Sequence, residues 1–346
     1  MMRLPWFRYH APRTAAEAAR ILAGEGPRAM AIAGGTDLLP NMKRRQQVPE
    51  TLVSLRHVAG LNTIANGSGL TLGAGLTLTE VVAAPVVGEN YRALWQAAAQ
   101  VATVHLRNMG TLGGNLCLDT RCNYYNQNYE WRKAIDFCLK KDGDVCWVAT
   151  ASKRCVAVSS TDCAPALIAL GASVKLVSAA GEREVSAADL YHNDGIDYLA
   201  RQPDEILTEV RLPPACGWKS SYWKLRRRGS FDFPVLGVAA AVRTAPDGTV
   251  EDARIVLGAV ASRPLATRAG DSLIGKRLTD EAIAEAAAKA ASRAKPLDNA
   301  DFDIYWRKSV VGEFIGYALK EIRGDDMTAA RMRYARHALG IPIYPV

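Results

Sequence analysis

Hydrophobic and polar positions follow two different periods along this chain, one typical of helices and one of strands. Thr14 and Glu17 form a capping box, and the alanine-rich stretch behind them predicts a helix that ends near Ala23, before Gly24 and Gly26. Short apolar runs bounded by glycine, proline or polar residues predict buried strands. In the first part of the chain, such runs occupy residues 28–33, 53–55 and 70–74.

Further along, the same two patterns continue. Helices are expected at 90–103, 164–170, 280–293 and 305–322, with Asp280 as the N-cap of the third. Strands are expected at 173–178, 205–212, 235–244 and 250–260. Pro246-Asp247-Gly248 lies between the last two strands and predicts a hairpin turn. Because helices and strands mix without a regular βαβ rhythm, the predicted fold class is α+β.

The length of 346 residues is enough for two or three domains and a sizeable core. Hydrophobic residues make up 49% of the chain, which is typical of a globular protein. No stretch approaches the roughly eighteen uncharged apolar residues of a membrane span. Residues 1–13 lack an apolar core of signal-peptide length, so we expect a cytoplasmic location.

The formal net charge is +8, and two basic runs stand out, Lys43-Arg44-Arg45 and Arg226-Arg227-Arg228. Each run can be an ordinary solvated surface or a docking face for an anionic cofactor or an acidic partner protein. No stripe of basic residues with interleaved aromatic residues accompanies them, so nucleic-acid binding is not expected.

Four of the seven cysteines lie within 34 residues, at Cys122, Cys138, Cys146 and Cys155. An odd cysteine count without a signal peptide argues against a disulfide framework. Four thiolates can hold a [4Fe–4S] cluster. They can also hold zinc, although the paired C-x₂₋₄-C knuckles of structural zinc sites do not occur here. Unliganded or redox-reactive thiols are the third alternative.

Two glycine-rich turns carry a different kind of chemistry. The first is 31–39, Ala-Ile-Ala-Gly-Gly-Thr-Asp-Leu-Leu, and the second is 107–116, Arg-Asn-Met-Gly-Thr-Leu-Gly-Gly-Asn-Leu. Glycines allow a close approach of the backbone to a ligand, and bare N–H groups can bind oxyanions. Neither turn has the G-x-G-x-x-G spacing of the dinucleotide fingerprint. Together they favour a diphosphate-bearing cofactor, whereas each alone could be a tight turn before a helix cap.

The order of these turns and of two later segments makes a family resemblance visible. Thr161-Asp162-Cys163-Ala164-Pro165-Ala166-Leu167 follows the second turn, and Tyr222-Trp223-Lys224 and Phe231-Asp232 come later. In this order the motifs resemble the FAD-binding medium subunit of the xanthine dehydrogenase family of molybdenum hydroxylases, over roughly residues 3 to 324. The resemblance implies an α+β fold with a two-part FAD-binding domain of the PCMH type and a C-terminal α+β domain.

The resemblance also implies where FAD binds. The diphosphate is expected at both turns, the sugar-alcohol region at Asp162, and the flavin ring beside Leu207 and Lys224. His105 lies where the family often has a polar residue near the cofactor, although it can equally be a histidine that only ends a helix. The expected FAD contacts are Ala31, Ile32, Ala33, Gly34, Gly35, Thr36, Asp37, Leu38, His105, Thr111, Gly113, Gly114, Asn115, Asp162, Leu207 and Lys224.

The chain departs from the family pattern by an insertion of about forty residues, 119–160, between the second turn and Asp162. Its start, Thr120-Arg121-Cys122-Asn123-Tyr124, and its four cysteines resemble medium subunits that carry an additional [4Fe–4S] cluster. Among these, the resemblance is closest to the 4-hydroxybenzoyl-CoA reductases, with cluster-bearing aldehyde oxidoreductases as the alternative. Cys117 and Cys163 flank the insertion and belong to the scaffold, so we expect them to be small buried residues. Cys216 has no evident role.

The implied function is electron transfer, with no substrate site and no catalytic residue in this chain. The expected partners are a large molybdopterin subunit, a small subunit with two [2Fe–2S] clusters and a ferredoxin-like donor. A reductase of the closest type would remove the phenolic hydroxyl of 4-hydroxybenzoyl-CoA. A zinc-stabilised binding module without a redox role is the alternative of another class.

The proline pair Pro213-Pro214 marks the candidate boundary between domains. The predicted division is 1–57 for the N-terminal βαβ part of the FAD domain, 58–214 for its second part with the insert, 215–324 for the C-terminal domain and 325–346 for a tail.

Overall fold

A computed structural model describes residues 3–337 of the chain, and the predicted tail beyond His337 lies outside the described residues. Three sheets organise the molecule. The first contains β1 (Arg8–His10), β2 (Ala29–Ile32) and β3 (Thr51–Ser54), which are parallel and lie in the order β1-β3-β2. Helix α1 (Ala15–Glu25) connects β1 to β2 and α2 (Leu38–Lys43) precedes β3. Thr14 caps α1 by accepting a hydrogen bond from the Glu17 N–H, as the capping box predicts.

The second sheet has five strands, all paired antiparallel in the order β4-β5-β8-β6-β7. These strands are β4 (Ile64–Asn66), β5 (Leu70–Gly73), β6 (Ser173–Ser178), β7 (Gly181–Ser186) and β8 (Ile206–Leu212). The helices of this part are α3 (Leu78–Ala83), α4 (Pro85–Asn90), α5 (Arg92–Ala99), α6 (Val104–Arg107), α7 (Leu112–Leu116), α8 (Tyr129–Ala134) and α9 (Cys163–Ala169). The helix expected over 90–103 is shorter than predicted, since α4 ends at Asn90 and α5 covers only Arg92–Ala99.

The third sheet has four antiparallel strands in the order β12-β11-β10-β9. They are β9 (Trp218–Leu225), β10 (Leu236–Thr244), β11 (Val250–Gly258) and β12 (Leu265–Thr267), followed by the helices α10 (Asp280–Arg293), α11 (Ile304–Arg323) and α12 (Thr328–His337). The hairpin at Pro246-Asp247-Gly248 is present, and Gly248 has a φ of +86°. The predicted N-cap of α10 was wrong by one residue, since Thr279 and not Asp280 accepts the capping hydrogen bond.

The central strand β10 is buried on both faces, which explains its continuous apolar run. On one face, Ala239 and Ala241 belong to a core with the five-stranded sheet, α5 and α9. On the other face, Val238 and Ala240 pack with α10 and α11. Strand β9 lies in the same sandwich, although no strand was predicted there. The α+β class is thereby confirmed, and no described helix is long and apolar enough to cross a membrane.

The insert 119–160 lies outside all three sheets, and its one helix within the described residues is α8. Its two ends meet where Arg121 and Val158 exchange both backbone hydrogen bonds, each 2.8 Å long. Its apolar centre is small and contains Cys122, Tyr125 and Cys155. A segment of this size with so little secondary structure needs support beyond hydrophobic burial.

Candidate functional site: a large cleft with four thiols beside it

A cleft of about 1200 Å³ is lined by both glycine-rich turns, by the end of the first sheet and by the loop that follows β9. The size is that of a site for a large cofactor. Its wall includes residues from distant parts of the sequence, because the turns after β2 and before α7 meet at one place.

The first turn begins where β2 ends and leads into α2. Gly35 has a φ of +71°, in the region that favours glycine. Gly34 is required for a different reason, since a Cβ there would lie 1.8 Å from the carbonyl oxygen of Met109. The two glycine-rich turns therefore touch, backbone against backbone, and a side chain at Gly34 would separate them.

The second turn is held by three sets of hydrogen bonds. The Thr111 hydroxyl caps α7 by accepting from the Gly114 N–H at 3.0 Å. The Gly113 N–H donates to the Ala74 carbonyl at 2.8 Å, and a Cβ on Gly113 would lie 2.8 Å from the Ala74 Cβ. The Asn115 Oδ1 accepts from the Thr161 hydroxyl at 2.7 Å and from the Cys163 N–H at 3.1 Å. Asn115 thus ties this turn to the segment that carries Asp162.

Asp162 lies on the cleft wall but is almost fully buried, and two side chains from β9 bind its carboxylate. The Tyr222 hydroxyl donates to its Oδ1 at 2.7 Å, and Lys224 Nζ lies 2.9 Å from its Oδ2. Lys224 also donates to the Gln100 carbonyl at 3.1 Å. Burial lowers the pKa of Lys224, and Asp162 opposes that shift. The pair is a buried ion pair that connects the cleft to the third sheet.

Asp37, at the start of α2, faces Arg121 from the insert. Burial raises the pKa of the Asp37 carboxyl, and the Arg121 guanidinium counteracts part of that rise. Asn41, one turn later, donates to Asp37 at 3.0 Å and accepts from Arg121 at 3.0 Å. In the sequence, Arg121 is part of the Thr120–Tyr124 motif, and no spacing signal identifies it as a contact of the first turn.

All but two of the predicted FAD contacts line this cleft. Those on the wall are Ala31, Ile32, Ala33, Gly34, Gly35, Thr36, Asp37, Leu38, Thr111, Gly113, Gly114, Asn115, Asp162 and Leu207. Lys224 lies behind Asp162, with no exposed side-chain surface. His105 is exposed on α6, while its neighbours Leu106 and Asn108 line the cleft. His105 and Lys224 are thus not brought to the wall.

The four cysteines of the insert come together. Cys122, Cys138, Cys146 and Cys155 are each buried and unpaired, and all four line one small cavity. Cys138 begins a tight loop in which the Lys141 and Gly143 N–H groups donate to its carbonyl. The sequence spacing therefore corresponds to a common location in space, which spacing alone could not establish.

Three backbone N–H groups donate to two of the thiols. The backbone N–H groups of Tyr124 and Tyr125 donate to Cys122, and the Ala157 N–H donates to Cys155 Sγ at 3.4 Å. Burial raises the pKa of Cys122 to about 11 and that of Cys155 to about 12, so these two thiols, when free, would be protonated at neutral pH. Such N–H donors are among the groups that tune a bound metal centre.

A buried ion pair separates the two sites. Lys140 lies on the wall of the thiol cavity and Asp119 on the wall of the cleft. Lys140 Nζ is 2.8 Å from Asp119 Oδ1, and the Tyr125 hydroxyl donates to Asp119 Oδ2 at 2.8 Å. The contact between Lys140 and Asp119 depends on tertiary structure, and no sequence signal points to it.

Within residues 3–337, no three His, Cys, Asp or Glu side chains converge closely enough to hold a single metal ion. Zinc would need its four sulfurs about 2.3 Å from one centre. A [4Fe–4S] cluster binds each thiolate to a different iron, so its ligands surround a larger volume. The four cysteines share the wall of one small cavity, which is all that the described residues show of either geometry.

Comparison with known proteins agrees with the cleft. Residues 5–215 match the family described as the FAD binding domain in molybdopterin dehydrogenase, and residues 220–322 match the CO dehydrogenase flavoprotein C-terminal domain.

The aldehyde oxidoreductase FAD-binding subunit PaoB of Escherichia coli (strain K12) is 34% identical over 78% of this chain and 86% of its own length. The carbon monoxide dehydrogenase medium chain of Hydrogenophaga pseudoflava is 29% identical over 91% of this chain and 96% of its own. Among solved structures, CO dehydrogenase from Oligotropha carboxidovorans superposes with a TM-score of 0.77 at 26% identity, covering 93% of this chain and 99% of that one.

The first family model spans residues 5–215, more than half of the chain, and both glycine-rich turns and Asp162 lie within this span. The matched C-terminal domain includes the lysine that neutralises Asp162. From these matches and from the cleft that the two turns build, we conclude that the chain belongs to the family of FAD-binding subunits of the molybdenum hydroxylases.

Proposed function

We propose that this protein is the electron-transfer subunit of a molybdenum enzyme and that it holds a [4Fe–4S] cluster in addition to FAD. The observation that carries the proposal is the meeting of four buried, unpaired thiols around one cavity. FAD exchanges electrons with both one- and two-electron carriers, and a [4Fe–4S] cluster carries one electron at a time.

The cluster ligands in this proposal are Cys122, Cys138, Cys146 and Cys155. Their thiolates would bring strong negative charge into a buried site. The cation of Lys140 on the cavity wall and the N–H donors at Cys122 and Cys155 offset that charge. The insert has almost no apolar core of its own, and a cluster would supply the cross-links that it otherwise lacks.

For FAD, we propose that the diphosphate lies against Ala31–Leu38 and Thr111–Asn115, the two glycine-rich turns on the cleft wall. Asp162 is proposed to bind the sugar-alcohol region, and Leu207 to contact the flavin ring. Since Lys224 is buried behind Asp162, its proposed part is to hold that carboxylate in place. A contact of FAD with His105, which is exposed on α6, stays a prediction.

The proposed partners are a large molybdopterin subunit, where the substrate reacts, and a small subunit with two [2Fe–2S] clusters. The names of the relatives support a multi-subunit assembly, since they are medium chains or FAD-binding subunits. We also propose that the chain divides into 1–57, 58–214, 215–324 and 325–346, as the sequence predicts, and that the protein is cytoplasmic.

For the reaction of the whole complex, we propose reductive dehydroxylation of 4-hydroxybenzoyl-CoA, on the resemblance of the Thr120–Tyr124 motif and of the cysteine pattern. Oxidation of an aldehyde is the second candidate, and the similarity to an aldehyde oxidoreductase subunit favours it. The two are distinguished by assaying the purified complex with 4-hydroxybenzoyl-CoA and a reduced viologen, and with an aldehyde and an electron acceptor.

A ferredoxin-like donor is proposed for the reductive reaction, because a chain with a net charge of +8 suits an acidic partner. Electron transfer from ferredoxin should then slow as ionic strength rises. A rate that does not depend on salt would count against electrostatic docking.

The proposal is tested by anaerobic purification followed by iron, sulfide, zinc and flavin analysis. We expect flavin bands, broad iron–sulfur absorbance and four irons per FAD from this chain. Cys122→Ser, Cys138→Ser, Cys146→Ser and Cys155→Ser should each disturb the cluster, whereas Cys216→Ser, at an exposed site, should not. A protein that contains zinc and no iron in this chain would support the zinc-stabilised insert instead.

A further inference from the structure

Helix α2 lies between the two proposed cofactor sites. It follows the first glycine-rich turn directly, and Leu38, Pro40 and Asn41 from it line the FAD cleft. With only six residues, α2 is too short to be stable without tertiary contacts. The position of the first turn therefore depends on what holds α2.

The insert holds α2 at both ends. At the start, the Arg121 guanidinium pairs with Asp37 and donates to Asn41 Oδ1 at 3.0 Å. At the end, Arg132 Nη2 donates to the carbonyl of Arg44 at 3.0 Å. Just beyond, the Gln46 side chain donates to the Tyr125 carbonyl. These contacts come from residues adjacent to Cys122 and from α8, the helix between Cys122 and Cys138.

Arg132 is fully buried, which is unusual for a guanidinium. Its Cζ lies 5.9 Å from the ring centres of both Tyr129 and Phe137. Among the described residues, its Nε and Nη1 have no hydrogen-bond partner, and the nearest carboxylate, Asp142, is 3.9 Å from Nη1. Burying a cation with two unmet donors is costly. The one hydrogen bond that its guanidinium makes within the described residues goes to Arg44, the C-cap of α2, so the buried charge holds the end of that helix.

We propose that the cysteine insert is a clamp on α2 and that Arg132 is its positioning residue, so that an ordered insert strengthens FAD binding. The part of this inference that concerns the cluster rests on the proposed function. With the proposed cluster bound to the four cysteines, the insert becomes ordered. The cluster and FAD are then each bound more tightly when the other is present. Such a coupling is reciprocal in binding free energy.

The test measures FAD affinity in the full-length protein, purified with its partner subunits and then deflavinated. Arg132→Met should weaken FAD binding about tenfold, which corresponds to about 1.4 kcal/mol. Arg132→Lys should restore most of the affinity, because the native arginine uses one donor toward Arg44 and lysine can supply one. Lys133→Met is the matched control. Lys133 is the exposed neighbour of Arg132, and the substitution removes the same charge from a residue that does not touch α2, so FAD affinity should be unchanged.

Iron content and circular dichroism are measured on each variant. If Arg132→Met does not fold, Gln46→Leu tests the same clamp from the α2 side and should weaken FAD binding in the same direction. An FAD affinity equal to wild type in a folded Arg132→Met or Gln46→Leu protein overturns the clamp.

A second arm addresses the cluster. Chelator-stripped wild-type protein should bind FAD more weakly than cluster-loaded protein, and the difference should shrink in Arg132→Met. Equal affinities with and without the cluster overturn the coupling. If the wild-type protein contains no iron–sulfur cluster, the proposed function is wrong. The FAD affinities of Arg132→Met and Arg132→Lys still show whether the insert acts as a clamp on α2.

Discussion

Arg121 and Asp37 form an ion pair between the cysteine insert and the first glycine-rich turn. Arg121 is almost fully buried and precedes Cys122 directly, while Asp37 precedes α2 and lies on the wall of the FAD cleft. The backbone of Arg121 also closes the base of the insert, because it exchanges hydrogen bonds with the backbone of Val158. A single residue therefore joins the base of the insert, the proposed cluster ligand next to it and the proposed diphosphate site.

A double-mutant cycle at this pair should show strong coupling. Arg121→Met leaves Asp37 partly buried without its partner, and Asp37→Asn leaves the guanidinium unpaired, so each should lower both FAD affinity and stability. The double variant should recover part of the loss, with a coupling energy of about 1 to 3 kcal/mol. Fluorescence titration with FAD and urea unfolding measure the two quantities. Additive single effects would show that the ion pair contributes nothing specific.

Gly34→Ala should prevent the two glycine-rich turns from meeting. The added Cβ would overlap the Met109 carbonyl, which is backbone and cannot rotate away. We expect FAD binding to fall at least tenfold, which is about 1.4 kcal/mol, in a protein that keeps its overall fold. Equilibrium dialysis with FAD measures it.

Gly24→Ala is the control for that substitution. A Cβ at Gly24 has open space around it inside α1, so this change should leave FAD binding as it is and stabilise the helix slightly. Equal FAD affinity in the two variants would contradict the close approach at Gly34.

Lys224→Met should destabilise the protein by about 3 kcal/mol, because it leaves the buried Asp162 carboxylate with only the Tyr222 hydroxyl. The added change Asp162→Asn should restore most of that loss. Lys219→Met, on the exposed part of the same strand, serves as the control and should have little effect. The shift of the urea midpoint measures all three. Recovery of less than half of the loss in the double variant would argue that Lys224 stabilises by packing alone.

Glu321 should contribute to stability in a way that is lost in acid. Burial alone would raise the pKa of Glu321, but hydrogen bonds from Arg331, Ser221 and Trp223 outweigh it and hold the pKa below its ordinary value of 4.5. A carboxyl with a lowered folded pKa stabilises fully above its unfolded pKa and stops doing so as the pH falls through the folded one.

Stability of the wild type should therefore fall below about pH 4.5 more steeply than that of Glu321→Gln, which should already be less stable at pH 7. Urea unfolding between pH 3 and pH 7 measures the slopes. Glu89→Gln, at an exposed position on α4, should follow the wild-type curve. Parallel curves for wild type and Glu321→Gln would contradict the assignment.

Cys163→Ala and Cys117→Ala should keep full iron content. Cys163 is buried at the start of α9, and Cys117 lies at the end of α7 on the FAD cleft, whereas the thiol cavity is lined by the four cysteines of the insert. Iron and sulfide per FAD measure the outcome. Loss of iron in either variant would enlarge the ligand set beyond the insert.

The sequence by itself determined the elements and the family pattern. Periodicity predicted five of the described helices, α1, α5, α9, α10 and α11, and seven of the described strands, because amphipathic patterns report which face of an element is buried. Strand β9 was missed, since Trp218–Leu225 is packed on both faces and shows no clean alternation. The glycine-rich turns were recognisable because only glycine permits a close approach of two backbones. The insert was recognisable because four cysteines rarely occur so close together in a sequence.

Only the tertiary structure decided which residues meet. It brought Gly34 against Met109, gathered four cysteines around one cavity, and set Lys224 behind Asp162 instead of on the cleft wall. It also revealed Arg121 and Arg132 as contacts of α2. The physical reason is that each of these relationships depends on side chains or turns far apart in sequence, and local patterning carries information about burial but not about the partner across the interface.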